Sequence, residues 1–216
     1  ALFEYTEKFD KIKLTAQNIK VTEAEIKEAY EKVDKDLIRV IKLAAQRIKA
    51  FHQKQKLNSW LEPDENGETM GQLIRPIENV GVYVPGGKAA YPSSVLMNVI
   101  PAKVAGVKNI YMTTPAQKDG KVYPTTIVAA CEAGVDTIYK IGGAQAIGAL
   151  AYGTESVKKV DKICGPGNIY VALAKRTVYG YVNIDSVAGP SEILVVADDS
   201  ANPVYVAGHM LSQAEQ

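Results

Sequence analysis

Val80-Gly-Val-Tyr-Val-Pro-Gly-Gly87 decides how this chain is read. Residues 80–84 are apolar enough for a short buried strand, and Pro85-Gly86-Gly87 stops it and turns the backbone. The arrangement recurs twice. Thr137-Ile-Tyr-Lys-Ile141 runs into Gly142-Gly143-Ala144, and Lys162-Ile-Cys164 runs into Gly165-Pro166-Gly167. After each turn the pattern predicts a helix: residues 93–105, 144–151 and 168–178. Asn109-Ile-Tyr-Met-Thr113 adds a strand, and Pro124 to Gly134 a helix with Pro near its start and Gly just past its end. Ile184-Asp185 and Ile193 to Ala197 read as further strands. Pro203 to Glu215 reads as a last helix, with Asp198, Asp199 and Ser200 as candidate caps. Strands separated by helices of roughly ten residues predict an α/β fold, a parallel sheet with helices on both faces.

Ahead of this core, residues 1–56 read as a helical segment. Thr22 and Glu25 have capping-box spacing, in which hydroxyl and carboxylate each satisfy an orphan backbone donor. Val33, Leu37, Ile38, Ile41, Ala44, Ala45 and Ile48 recur at three and four, one buried helix face. Such a segment cannot bury a core alone and is expected to pack on the rest of the chain or on a second subunit. Residues 57–76 change character: Asn58, Pro63, Asp64, Asn66, Gly67 and Gly71 punctuate a polar stretch, read as a hairpin or extended arm and as the domain boundary.

Composition narrows the function classes. The chain has 216 residues, 47% of them hydrophobic, enough for a sizeable core. With 25 basic and 24 acidic residues the net charge is +1, without the basic footprint of a nucleic-acid binder. No apolar run approaches the ~18 residues of a membrane span, and the charged N-terminus does not read as a signal peptide. A cytoplasmic protein is the expectation. Cys131 and Cys164 form no CxxC motif and are expected to be free thiols.

In an open α/β sheet, ligands bind beyond the carboxyl ends of the strands. Glycines there let the backbone approach a ligand closely, and helix N-termini offer free N–H groups. Three such turns suit a dinucleotide or a phosphate-bearing ligand, and the pattern alone equally fits ordinary strand-to-helix turns. No GxGxxG or Walker sequence is present, so a dinucleotide site would be atypical. Gln145 and Asn168 follow two of the turns, where an amide either caps the helix or meets a ligand.

The strings themselves go further. Val80–Gly87, Gly142-Gly-Ala-Gln-Ala-Ile147, Ala151-Tyr-Gly-Thr-Glu-Ser-Val157, Val160-Asp-Lys-Ile-Cys-Gly-Pro-Gly-Asn168, Ala188-Gly-Pro-Ser-Glu192 and Leu211-Ser-Gln-Ala-Glu215 resemble, in order and near spacing, the histidinol dehydrogenase family. The resemblance implies a Rossmann-like architecture similar to aldehyde dehydrogenases, with residues 77–216 as an NAD- and substrate-binding region incomplete at its C-terminal end. It implies oxidation of L-histidinol through L-histidinaldehyde to L-histidine with NAD, one zinc per site, and a homodimer. By position it makes Tyr83, Gln145 and Asn168 cofactor contacts, Ser191 and Gln213 substrate contacts, and Gln213 a zinc ligand.

The sequence departs from the family in two places. Gln216 stands where the family has a second zinc-ligating histidine. The family's catalytic Glu-His pair and remaining zinc ligands belong to a half not represented here, and His52 and His209 do not match those positions. The expectation is a partial chain, inactive and without a tight zinc site on its own. Two other readings stay open: a shortened, non-catalytic NAD-binding or dimerisation homologue, and an aldehyde-dehydrogenase relative using a cysteine nucleophile.

Overall fold

A computed structural model describes residues 1–86, 89–188 and 192–214. Two compact units result, Ala1–Ser186 and Val187–Gln216.

The first unit is built on a parallel sheet. In chain order its elements are α1 (Leu2–Asp10), α2 (Glu23–Lys32), α3 (Lys35–Gln53), β1 (Trp60–Pro63), β2 (Thr69–Gln72), β3 (Asn79–Tyr83), α4 (Pro92–Val104), β4 (Asn109–Thr113), α5 (Pro124–Ala133), β5 (Thr137–Tyr139), α6 (Gly143–Tyr152), β6 (Lys162–Cys164), α7 (Ile169–Val178) and β7 (Asn183–Ile184). The sheet order is β5-β4-β3-β6-β7, with every pairing parallel. Connections from β3 run one way through β4 to β5, then return through α6 to β6. β3 and β6 are therefore neighbours at a topological switch point.

Strand alternation explains the three layers. Val80, Val82, Ile110, Met112 and Ile138 enter one buried cluster, shared with residues of α2, α3, α4 and α5. Tyr83, Tyr139 and Ile163 enter the other, shared with α6 and α7. Gly81 faces that second side: a Cβ there would lie 2.9 Å from Leu150 of α6, so the glycine lets this helix sit close on the central strand.

The N-terminal segment is three helices rather than one continuous helical reading. Lys11 adopts φ 60° and closes α1, its N–H returning to the Glu7 carbonyl. The chain then leaves the helix, makes one turn in which Asn18 and Ile19 N–H donate to the Thr15 carbonyl, and meets the sheet edge at Lys20. Val21 N–H donates to the Ile138 carbonyl, Lys140 N–H to the Ile19 carbonyl, and Ile12, Leu14 and Ile19 are buried. Edge pairing and apolar burial override a helical propensity that no Gly or Pro interrupts. The Thr22–Glu25 capping box forms as its spacing predicts. Asp34 then caps α3 by accepting from the N–H groups of Asp36 and Leu37. On α3, Ile41 is buried, while Ile38, Ala44, Ala45 and Ile48 pack on the core. Leu37 instead lies exposed.

β1 and β2 form an antiparallel hairpin in register Leu61↔Gly71, all eight residues exposed. Its turn is held by Asp64, which accepts from the N–H groups of Asn66 and Glu68.

The second unit contains α8 (Pro203–Ala214). Its start is capped by Asn202, which accepts from Val204 N–H at 2.9 Å, and not by the residues at 198–200. Asp198 instead accepts from the Ser200 N–H and hydroxyl within a turn. The strand expected over residues 193–197 does not form. A strand exists only by pairing, and the described residues of this unit contain no other strand, so the apolar side chains of Leu194 and Val196 stay exposed.

Candidate functional site

Tyr83 ends β3, and strand alternation sends its side chain toward α6. It is buried, and its hydroxyl accepts a hydrogen bond from the Gly143 N–H at 3.0 Å. Gly143 is the first residue of α6, so the bond ties the end of the central strand to the N-terminus of a helix that follows β5. Burial pushes the phenol upward; the Gly143 N–H partly offsets this, and the charge of Asp10 adds to it. The side chain is a neutral hydrogen-bonding group throughout the physiological range.

Gln145 lies in the first turn of α6 and folds back over its start. A Cβ on Gly143, at φ +67°, would sit 2.7 Å from the Gln145 Oε1. Both the left-handed backbone and this approach require glycine there. The Gln145 Nε2 is buried, and among the described residues it has no hydrogen-bond partner. An amide nitrogen in that state has lost water without replacing it, at a cost of about 1–3 kcal/mol unless a ligand completes the bond.

Asn168 caps α7, its Oδ1 accepting from the Val171 N–H at 3.1 Å. Capping engages the oxygen; the Nδ2 donors take no part in the cap. Asn168 thus both caps and lines the cleft described below.

The Gly165 turn before it is held from both sides. Gly165 has φ +115°, and a Cβ there would collide with the Tyr83 backbone carbonyl. Its N–H donates to Asp185 at 2.8 Å, and its carbonyl accepts from the Lys175 ammonium at 2.9 Å. Lys175 is buried and ion-pairs with Asp185. Burial alone would raise the Asp185 carboxyl. Hydrogen bonds from Lys175, Gly165 and Ser186 outweigh it and hold the group below the usual carboxylate range. Sequence reading missed Lys175 and Asp185 because their separation of ten residues has no local periodic meaning.

Tyr83, Gln145 and Asn168 line one cleft of about 700 Å³. The loop 115–118, which follows β4, and Asp10 at the end of α1 line it as well. The volume suits a small molecule or cofactor, and the position beyond the strand ends is where such folds bind nucleotides. Three residues far apart in sequence thus converge. Ser191, the side chain of Gln213, and Gln216 lie outside the described residues.

Other candidates do not join this cleft. Cys131 and Cys164 are free and do not line it. Burial pushes both thiols up, with Glu132 adding at Cys131 and Asp185 at Cys164. That is opposite to the depressed pKa of a nucleophilic thiolate. His52 hydrogen-bonds Gln55 at 2.6 Å and meets the Phe51 ring edge-on, outside the cleft. His209 lies on α8. Among the described residues, no group of three or more His, Cys, Asp or Glu side chains could hold a metal ion. No described helix is long and apolar enough to cross a membrane.

Comparisons with known proteins agree with this geometry. The family model described as histidinol dehydrogenase matches residues 1–216. The chain is 60% identical over 215 residues to the histidinol dehydrogenase of Clostridium acetobutylicum and 59% identical to that of Heliobacterium mobile. The match takes in 100% of this chain and 49% and 50% of those relatives, so the chain spans about half their length. The crystal structure of histidinol dehydrogenase from Elizabethkingia anophelis superposes with a TM-score of 0.90 at 48% identity, over 100% of this chain and 49% of that one. A cleft at the switch point of a parallel sheet, a family match along every residue and a fold shared with a solved relative place this chain in the histidinol dehydrogenase family.

Proposed function

We propose that this chain supplies the cofactor-binding wall of a histidinol dehydrogenase, which oxidises L-histidinol through L-histidinaldehyde to L-histidine with NAD, the last steps of histidine biosynthesis. The observation that carries the reading is the cleft at the strand ends, where Tyr83 and Asn168 line the walls and Gln145 keeps a buried, unpartnered amide nitrogen. The donor set fits a dinucleotide. Gln145 Nε2 and Asn168 Nδ2 are neutral donors for ribose or phosphate oxygens, and the Tyr83 phenol is a neutral partner beside them. When bound, NAD would supply the hydride acceptor, two molecules in turn, one for the alcohol and one for the hydrated aldehyde, each leaving as NADH. The chain's own residues bind and orient it: Tyr83 fixes the α6 N-terminus through Gly143, and Lys175 with Asp185 fixes the turn that sets Asn168.

Zinc belongs to this reading only through the family. Gln213 would supply one amide oxygen, a neutral hard donor. The described residues provide no further donor set for the metal. Ser191 and Gln213 are proposed substrate contacts on the same basis. Alcohol oxidation needs a base for the hydroxyl proton; among the described residues neither a histidine nor a cysteine lines the cleft, and the acid that does, Asp10, does not match the family's Glu-His pair. The 216-residue polypeptide by itself is therefore expected to bind NAD without turnover. A homodimer and a cytoplasmic location complete the proposal. The exposed apolar side chains of the β1–β2 hairpin are the kind of surface an assembly would cover.

The test follows NADH absorbance with L-histidinol in the full natural polypeptide that carries these residues, together with NAD titration of wild type and Gln145→Ala. Turnover, and a tenfold or greater loss of NAD affinity in the variant, are expected. NAD binding without turnover in that polypeptide would favour a non-catalytic NAD-binding homologue. No NAD binding at all would overturn the assignment.

A further inference from the structure

We infer that Asp10, contributed by the N-terminal helix α1, is the residue by which the cleft accepts a ribose diol and rejects a 2′-phosphorylated dinucleotide. The inference rests on the dinucleotide reading of the cleft and deepens it.

A dinucleotide-binding sheet of this strand order commonly places an acidic residue at the end of the strand beside the first one, where its carboxylate binds the ribose 2′-hydroxyl. Here the first strand is β3 and its neighbour is β4. The residues after β4 read Thr114-Pro-Ala-Gln-Lys118, with no acid among them. Asp119 follows but does not line the cleft.

Asp10 supplies what that loop lacks. It ends α1 and lines the same cleft as loop residues 115–118 and Tyr83. Its Oδ2 is a buried acceptor with no hydrogen-bond partner among the described residues. The carboxylate is close enough to Tyr83 for its charge to act on the phenol. An ionised oxygen removed from water and left unpaired is unfavourable unless a donor arrives with the ligand. A ribose diol brings two hydroxyl donors. A 2′-phosphate brings negative charge against a carboxylate, and like charges in a closed site repel strongly. The protein has a cation at hand, since Lys118 lines the same cleft. Asp10 sets the preference by neutralising the advantage that Lys118 would give a phosphate.

The sequence position explains why the signal is hard to see. The acid lies well before the glycine turns in the chain, and reaches the cleft only because α1 packs against α6.

The experiment measures NAD and NADP affinities by titration, in the full natural polypeptide, for wild type, Asp10→Asn and Asp10→Ala. Thermal melts of each variant establish that it is folded. Wild type is expected to prefer NAD by at least about a hundredfold, a difference of 2.7–2.8 kcal/mol at about 1.4 kcal/mol per tenfold. Asp10→Asn keeps the shape and an acceptor but removes the charge. It is expected to gain NADP affinity about tenfold and to lose NAD affinity severalfold, so that the NAD-to-NADP ratio falls by more than tenfold. Asp10→Ala is expected to lose NAD affinity about tenfold. An unchanged NAD-to-NADP ratio in both folded variants overturns the role of Asp10 and leaves the cofactor cleft standing. Absence of NAD binding in wild type overturns the cofactor reading itself.

Discussion

The cleft at the strand ends and the β1–β2 hairpin both carry groups without partners, and the groups are of opposite kind. In the cleft, the Gln145 amide nitrogen and an Asp10 carboxylate oxygen are buried without a hydrogen bond among the described residues. On the hairpin and its flanks, Trp60, Leu61, Met70, Leu73 and Ile74 are apolar and open to solvent. A buried polar group without a partner is relieved by a small ligand that carries the missing donor or acceptor. An exposed apolar face is relieved only by another surface, because the hydrophobic effect scales with area and has no direction. On the proposed function the difference separates two roles on one chain: the cleft would select a molecule by its polar groups, and the hairpin would be covered by another surface.

The fixed geometry of the cleft depends most on Gly165. Any side chain there must adopt φ +115° and would collide with the Tyr83 carbonyl. Gly165→Ala is expected to destabilise the protein by about 3–5 kcal/mol, measured by denaturant unfolding, and to abolish NAD binding. A stable variant that still binds NAD would mean the rim tolerates rebuilding and does not select by fixed geometry.

Lys175→Met comes next. It leaves Asp185 without its cationic partner while the Gly165 N–H bond remains. With about a third of Asp185 exposed, the loss is discounted to roughly 2 kcal/mol. The sign of its pH dependence is fixed. The folded-state carboxyl lies below its unfolded value, so its stabilisation is present above about pH 4 and disappears as pH falls through the folded value. Stability of the variant should therefore converge on wild type in acid. A gap that stays constant from pH 7 to pH 3 would assign the loss to packing of the lysine stem instead.

Much of this fold is legible in the sequence because its signals are local. Val80–Val84, Asn109–Thr113 and Lys162–Cys164 announce strands by short apolar runs closed by turns, and Pro124 and Gly134 bracket α5 at both ends. What was not legible depends on tertiary partners. Residues 11–21 carry no breaker, and leave the helix only because the edge of β5 and a buried slot for Ile19 reward a different path. Residues 193–197 look like a strand by composition, and are not one because no neighbour pairs with them among the described residues. The cleft divides the same way. Gln145 and Asn168 stand beside the glycine turns and Tyr83 is named by the family resemblance, whereas Asp10 and Lys175 reach the rim by helix packing that no spacing announces.

Asp10→Asn has a smaller and opposite effect on the empty protein. Burial raises the Asp10 carboxyl above its usual value. A raised carboxylate destabilises the folded state at neutral pH and ceases to do so once protonated. The variant should be more stable than wild type by about 0.5 kcal/mol at pH 7, with the difference vanishing below about pH 4. A loss of stability at pH 7 would show that Asp10 has a structural partner and is not held in reserve for a ligand.

The smallest effect on stability is expected at the hairpin, and it tests the other half of the comparison. Leu61 is 65% exposed, so Leu61→Gln removes little buried area. Unfolding free energy at low protein concentration should change by less than about 0.5 kcal/mol. Association should respond differently. If the face is covered by a second subunit, light scattering of the full natural polypeptide should show a shift toward monomer, and the concentration dependence of the melting temperature should weaken. A drop of several degrees that is independent of concentration would instead mean that residues of the same polypeptide cover Leu61. The hairpin would then be part of a folding core and not a docking surface, and the division drawn between a selecting cleft and a covered arm would reduce to a single site.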